Sequence, residues 1–231
     1  MNVQNHSASN TPGAAVSRTG RVLIMTSVQA EQEAVLRGLR GDGRFDVVVA
    51  GVGPAASAAR TAAALAAADY GLVLSAGIAG GFKGRAELGS LVVASEIVAA
   101  DLGAQTPDGF LSLDELGFGS ARAAVDAALA ERLAAALRAA GLSAQAGPVL
   151  TVSTVTGTAE RAAELAARVP GAAAEGMEGF GVATAAQQCG IPALELRAVS
   201  NPVGPRDRGA WRIADALAAL EAASSLLPEV L

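Results

Sequence analysis

AAEGMEGFGVATAAQQCGIPALELRAVSNPVGPRDR, residues 173–208, reads in order as a turn, a helix, a strand and a loop rich in Pro and Gly. That order puts Glu178 at a helix start and Asn201 just past a strand end, both on exposed rims. In an open α/β sheet, small ligands gather at the carboxyl ends of strands, where loops and helix N-termini converge. A carboxylate and an amide delivered there can face one small molecule, with the remaining chain holding a third group, Glu31, against them.

Outward from this stretch, a strand-then-helix unit repeats. Residues 21–28, RVLIMTSV, form a short apolar run suited to a buried strand, and the segment behind it sets Ala30, Ala34, Val35 and Leu39 at helical spacing. FDVVVAGV at 45–52 repeats the pattern, with Pro54 in the first turn of an Ala-rich helix, where a missing N–H costs nothing. GLVLSAGIAGG at 71–81 is a third strand running into a glycine loop, and residues 87–105 have the length and β-branched content of a longer strand. TPDGFLSLDELGFG at 106–119 reads as an extended loop and 122–140 as a long amphipathic helix. A strand over 148–153, a helix with Thr158 as N-cap and a final helix over about 211–227 complete the chain. This alternation implies an α/β fold of three layers: one domain, residues 20–231, with a mostly parallel, mixed central sheet flanked by helices.

Composition narrows the function classes. Of 231 residues, 52% are hydrophobic and 17% charged, which suits one well-packed domain. The net charge of −5, with no cluster of Lys and Arg, argues against nucleic acid as a partner. Apolar runs are interrupted well before the roughly 18 residues that a membrane-spanning helix needs. A single cysteine, Cys189, excludes an intrachain disulfide, fits a reducing, cytoplasmic setting and reads as inert packing late in a helix. The one histidine, His6, lies in residues 1–19, a polar, small-residue-rich stretch that reads as a disordered tail and not as a signal peptide. No metal site is expected.

Two glycine motifs bear on ligands. Gly51-Val-Gly53-Pro-Ala-Ala56 follows a strand and opens a helix, as the dinucleotide fingerprint does. Yet the next strand ends in Ser75-Ala76-Gly77, with no acidic residue for a ribose, and Asp69 precedes that strand. These glycines are read as a tight turn with close helix packing, and no cofactor is expected. Gly77-Ile-Ala-Gly-Gly81 is either a plain turn or a row of unhindered backbone N–H groups, including those of Ala79 and Gly80, that lines a pocket for polar ligand atoms.

Three blocks together resemble the nucleoside phosphorylase and nucleosidase superfamily: Ser27-Val-Gln-Ala-Glu31, Ser75-Ala-Gly-Ile-Ala-Gly-Gly81, and Glu175-Gly-Met-Glu178 with Arg197-Ala-Val-Ser-Asn201. Within it, ADLGAQTPDGFLSLDELG, TVSTVTGTA, EGMEGFGVA and SNPVGPRDRGAWRI are similar to the futalosine hydrolase family. The resemblance implies the three-layer phosphorylase/hydrolase-like fold, a small-molecule nucleoside as partner, and removal of hypoxanthine from futalosine in a menaquinone pathway. It also implies a homo-oligomer, a dimer or higher.

The resemblance further assigns roles, each beside a plain structural use of the same residue. Glu31 aligns with a water-activating glutamate, and also suits the positive end of a helix dipole. Glu178 would bind ribose with Met177 packed beneath the sugar, or be a solvated carboxylate in a first turn. Asn201, with Ser200 before it, stands where related nucleosidases for 6-aminopurines carry Asp. An amide presents an acceptor and a donor that match N7–H and O6 of a 6-oxopurine, though an Asn before Pro202 is also an ordinary turn residue. Arg206 and Arg208, flanking Asp207, would meet the benzoate of futalosine as a fork, or pair locally with Asp207. Phe180, Phe82 and Trp211 either stack on base or benzoate or fill the core. Glu33 is read as surface.

Other readings stay open: a nucleosidase acting on aminofutalosine or methylthioadenosine, a phosphorylase, or a nucleoside-binding module without catalysis. A phosphorylase needs cations around phosphate, and the first loop has no Arg before Arg37, nor the GIAGG segment a cation before Lys83.

Overall fold

The computed structural model describes residues 20–231, so the expected tail over 1–19, with His6, lies outside the described residues. Elements run β1 (Val22–Thr26), α1 (Gln29–Leu39), β2 (Phe45–Val49), α2 (Pro54–Ala67), β3 (Leu72–Gly81), β4 (Leu91–Ala99), β5 (Gly103–Thr106), β6 (Gly109–Ser112) and β7 (Arg122–Ala123). There follow α3 (Ala127–Ala139), β8 (Ala144–Thr151), α4 (Ala159–Arg168), β9 (Ala174–Gly176), α5 (Gly179–Gln188), β10 (Ala193–Pro202), a 3₁₀ turn (Arg208–Ala210), α6 (Ile213–Ser224) and α7 (Leu227–Val230).

Eight strands form one mixed, mostly parallel sheet in the order β10-β4-β8-β9-β3-β1-β2, with β7 paired on β4, as the strand–helix alternation implied; β5 and β6 form a separate two-stranded sheet. The larger sheet is not open. β10 also pairs with β3, so β3, β10, β4, β8 and β9 close a ring of pairings from which β1 and β2 extend. The closing piece is β9, three residues that read as a turn in the sequence because so short a segment shows no periodicity. It pairs antiparallel with β3 through Glu175 opposite Gly80 and parallel with β8. Helices α1, α3 and α6 pack on one face and α2 and α5 on the other. β1, VLIMT, is buried along its length, which is why it carries no alternation; each such side chain contributes about 1.5–3 kcal/mol by leaving water.

Several boundaries differ from the sequence expectation. The glycine loop at 77–81 is strand, because β3 continues to Gly81 between β9 and β10. Residues 106–119 are not a plain loop: Gly109–Ser112 pairs back on Gly103–Thr106 as a hairpin. The helix over 122–140 begins later, since Arg122–Ala123 pairs with β4 and the Asp126 carboxylate caps α3 by accepting the Leu129 N–H at 3.0 Å. The final helix, expected over about 211–227, is α6 followed by the short α7, and a 3₁₀ turn precedes it. Thr158 caps α4, and Pro54 opens α2 behind Gly53, whose φ of 92° only glycine adopts easily. Cys189 is exposed at the end of α5 and not packed. Among the described residues, no helix is long and apolar enough to cross a membrane.

Candidate active site

Glu31 is at the third position of α1, at the carboxyl end of β1, yet it is buried. Its Oε2 accepts the N–H groups of Ser27 at 2.8 Å and Val28 at 3.2 Å, and its Oε1 that of Ile78 on β3 at 2.8 Å. Helix start and sheet are thus tied through one carboxylate. Gly77 makes the approach possible: a Cβ there would lie 2.6 Å from Glu31 Oε1.

Glu178 follows β9 as the residue before α5 and is buried, not on an exposed rim. Oε1 accepts the N–H of Gly53 at 3.2 Å and Oε2 that of Met177 at 3.3 Å. The Ser57 hydroxyl lies 3.1 Å from the Glu178 carbonyl, so the start of α2 holds this residue by backbone as well as by carboxylate. The approach of α2 to α5 depends on Gly181, where a Cβ would stand 2.2 Å from the Pro54 carbonyl oxygen.

Behind Glu178 lies an ionic group that the sequence reading missed. Arg197 on β10, almost wholly buried, donates from Nε to Glu195 Oε1 at 2.7 Å and from Nη2 to Ser75 Oγ at 3.1 Å, and its Nη1 is 3.3 Å from Glu178 Oε2. Burial works against the guanidinium charge, but Glu195, Glu178 and Glu31 together outweigh it and hold its pKa above the ordinary value. Burial pushes the Glu195 carboxyl up, against the pull of Arg197, and Glu195 Oε2 has no hydrogen-bond partner among the described residues. The signal was available: two charged residues two apart, between Leu194, Leu196 and Ala198, lie on one face of a strand that is otherwise apolar.

Asn201 is on β10, not past its end. The register of β10 against β3 shifts between Val199 and Asn201, a bulge that re-aims Ser200 and Asn201. The Ser200 hydroxyl donates to Asn201 Oδ1 at 2.8 Å, and Asn201 Nδ2 donates to the Pro202 carbonyl at 3.0 Å. One lone pair on Oδ1 and one hydrogen on Nδ2 stay available to a ligand.

A fourth buried carboxylate, Glu175, accepts the Thr156 N–H at 2.9 Å and the Thr156 hydroxyl through its other oxygen. Burial pushes its pKa up, against those two hydrogen bonds. In the sequence it stood only as part of a motif.

Glu31, Glu175, Glu178 and Asn201 converge on a cleft of about 380 Å³. Of the residues expected to form a site, Glu31, Asn201, Glu178, Met177, Ala79, Gly80, Ser200 and Arg206 line it. Glu175, Val52, Val155 and Trp211 complete much of its wall. Phe180, Asp207 and Arg208 are not brought to it. Phe180 is in the first turn of α5, its N–H held by Thr151 Oγ1 at 2.9 Å, and it lines a separate groove between α2 and α5. Asp207 spends a carboxylate oxygen on the Gly209 N–H at 3.0 Å, capping the 3₁₀ turn. Arg208 opens that turn, its guanidinium 5.8 Å from the Trp211 ring centre, while Arg206 lies 5.3 Å from the same ring. Phe82 is core, and Glu33 is exposed. Among the described residues there is no cluster of His, Cys, Asp and Glu fit to hold a metal.

The family model described as Phosphorylase superfamily matches residues 35–231. A relative from Streptomyces coelicolor named futalosine hydrolase is 54% identical, over 91% of this chain and 96% of its own length. Another of that name, from Acidothermus cellulolyticus, is 50% identical over 89% of each chain. Among solved structures, the fold matches native futalosine hydrolase of Helicobacter pylori with a TM-score of 0.77 at 18% identity, covering 90% of this chain and 97% of that one. It also matches a 5'-methylthioadenosine/S-adenosylhomocysteine nucleosidase from Neisseria meningitidis with a TM-score of 0.73 at 20% identity, covering 90% and 99%.

Proposed function

The chain belongs to the phosphorylase superfamily and, within it, to the futalosine hydrolase family, and we propose that its cleft uses water to break the N-ribosidic bond of futalosine, releasing hypoxanthine and dehypoxanthinylfutalosine. The observation that carries this reading is that Glu31, Glu178 and Asn201, from three distant parts of the chain, line one cleft.

As the bond from C1′ to N9 breaks, its electron pair goes to the purine and positive charge grows on the ribose. Glu178 accepts hydrogen bonds from two ribose hydroxyls and counters that charge, with Met177 against the sugar. Glu31 takes the proton of the water whose oxygen bonds to C1′. N7 of the departing base takes its proton from solvent, since Asp207 does not line the cleft, and Asn201 offers Oδ1 to N7–H and Nδ2 to O6. The donors Ser27 N–H, Val28 N–H and Ile78 N–H would otherwise form a cradle for phosphate, but they are aimed at Glu31. A phosphate dianion placed there would meet a fixed negative charge, which favours water as the nucleophile. Arg206 beside Trp211 is the cation assigned to the benzoate. Arg206→Ala should reduce turnover of futalosine far more than that of inosine, and an equal loss for both would remove that role.

A homo-oligomer and a cytoplasmic setting belong to the same reading. Helix α2 exposes Ala55, Ala56, Ala59, Ala62, Ala63, Ala66 and Ala67 with a single charge, Arg60, a face suited to a second copy of this chain. A monomeric mass by light scattering at micromolar concentration would refute the oligomer, and a secreted pool on cell fractionation would refute the location. The experiment for the function is to identify the products from purified protein and futalosine, with and without phosphate. Hypoxanthine at a rate indifferent to phosphate is expected; strict phosphate dependence with a sugar 1-phosphate product would overturn the hydrolase.

A further inference from the structure

Glu31 and Glu178 have roles in the chemistry above, but Glu175, the third buried carboxylate on the cleft, has none. Resting on the reading that a 6-oxopurine nucleoside occupies the cleft, we propose that Glu175 reads the six-membered edge of the base, its carboxylate accepting the N1–H while Asn201 meets N7 and O6.

The strand register places the two residues for this task. Gly80 on β3 is paired with Glu175 of β9 on one side and with Asn201 of β10 on the other. Residues directly opposite in a sheet project to the same face, so Glu175 and Asn201 flank a position with no side chain of its own. The space is tight: a Cβ on Gly80 would stand 3.3 Å from Asn201 Nδ2 and 3.0 Å from Val203 Cγ2. A flat ring laid over Gly80 would therefore have one polar group at each edge, and Val155 of the cleft wall adds an apolar surface.

Thr156 fixes how Glu175 is presented. Its N–H and hydroxyl each hold one carboxylate oxygen, which leaves each oxygen a further lone pair for a ligand. Burial raises the cost of the ionised form, and the charged neighbours that act on it are Arg161, which favours ionisation, and Asp101, which opposes it. A donor brought in by the ligand would add a third hydrogen bond to the two that Thr156 supplies.

Selectivity follows from the chemistry of N1. A 6-oxopurine carries hydrogen on N1 and an acceptor at C6; a 6-aminopurine has a lone pair on N1 and donors at C6. An ionised Glu175 facing adenine N1 sets two acceptors against each other, and the bare acceptor is expected to lower selection for the 6-amino base roughly 10- to 100-fold. Asn201 and Glu175 thus test the same substituent from opposite sides.

The test compares kcat/KM for base release from futalosine and from its 6-amino analogue, aminofutalosine, in the wild type and in Glu175→Gln. The variant keeps the shape but can turn an NH₂ towards N1, so the futalosine preference should fall roughly 10- to 100-fold. A preference within twofold of the wild type overturns the assignment. A second arm needs no variant: calorimetric titration of the wild type with hypoxanthine and with 1-methylhypoxanthine, which lacks the N1–H. Weaker binding of the methylated base is expected, and equal affinity overturns the proposal whether or not the variant folds. A wild type that binds hypoxanthine in preference to 1-methylhypoxanthine but releases no base from futalosine would instead defeat the functional reading and leave the Glu175 contact standing.

Discussion

Arg197 Nη1 stands 3.3 Å from Glu178 Oε2, with both side chains buried, so the carboxylate assigned to the ribose is held from behind by a guanidinium that does not itself line the cleft. The same guanidinium is bonded to Glu195, so one cation serves two buried anions. Arg197→Met would leave both unpaired, and removing one partner of a buried ionic group costs about 3–5 kcal/mol. Urea unfolding should show a loss of that size. A loss below about 1 kcal/mol, the value of an exposed pair, would contradict the role given to Arg197.

Gly77 lies under Glu31. A methyl group there would approach Glu31 Oε1 to 2.6 Å and Arg197 Nη1 to 2.9 Å, distances that force the carboxylate to move. Gly77→Ala should lower kcat by roughly 10²-fold, the usual effect of displacing a reacting group by about an ångström. Steady-state kinetics of the folded variant gives the answer, and an unchanged kcat would mean that the position of Glu31 does not matter.

Asn201→Asp replaces an amide donor with an acceptor that can carry a proton. Preference should shift from hypoxanthine towards adenine, read as the ratio of the two bases released from futalosine and aminofutalosine. The mismatch at O6 is worth about 1–3 kcal/mol. An unchanged ratio would show that base selection does not pass through Asn201.

Glu175 also gives a prediction in pH. Burial lifts its carboxyl above the ordinary value of 4.5, against the Thr156 hydrogen bonds and the charge of Arg161 and with a further upward push from Asp101. The folded state therefore holds this proton more tightly than the unfolded chain, so the stabilisation is complete below the ordinary value and is lost as pH rises through the raised one. Glu175→Gln cannot titrate there. The Tm of the wild type relative to Glu175→Gln should fall as pH is raised from below 4.5 to neutrality, and a constant difference would contradict the raised pKa.

The parts of the molecule that were legible in the sequence were those with local signals. Short apolar runs and helical spacing set out the strand–helix order, Pro54 and Thr158 marked helix starts, and the cleft residues lay in motifs whose spacing survives folding. Long-range pairing left no such trace. β9 is only three residues, and its closure of the strand ring depends on Gly80 and Gly81 in β3 lying beside it. The bulge at Ser200 arises from register between two strands distant in the chain. Asp207 and Arg208 looked equivalent to Arg206 as charged loop residues, but Asp207 caps the 3₁₀ turn that Arg208 opens, and neither lines the cleft. Buried charge was the hardest part to see: Glu175 looks like a solvated residue until Thr156 is known as its partner, and Glu195 and Arg197 stood out only by their place in an otherwise apolar strand.

The claim on which the account turns is that Glu31 activates the attacking water. The most direct measurement is on Glu31→Gln: the affinity for futalosine by calorimetry, alongside the single-turnover rate of hypoxanthine release. The account predicts affinity within a fewfold of the wild type and a rate lower by roughly 10²–10⁴-fold, the usual contribution of a general base. A rate equal to that of the wild type, with futalosine bound, would contradict it.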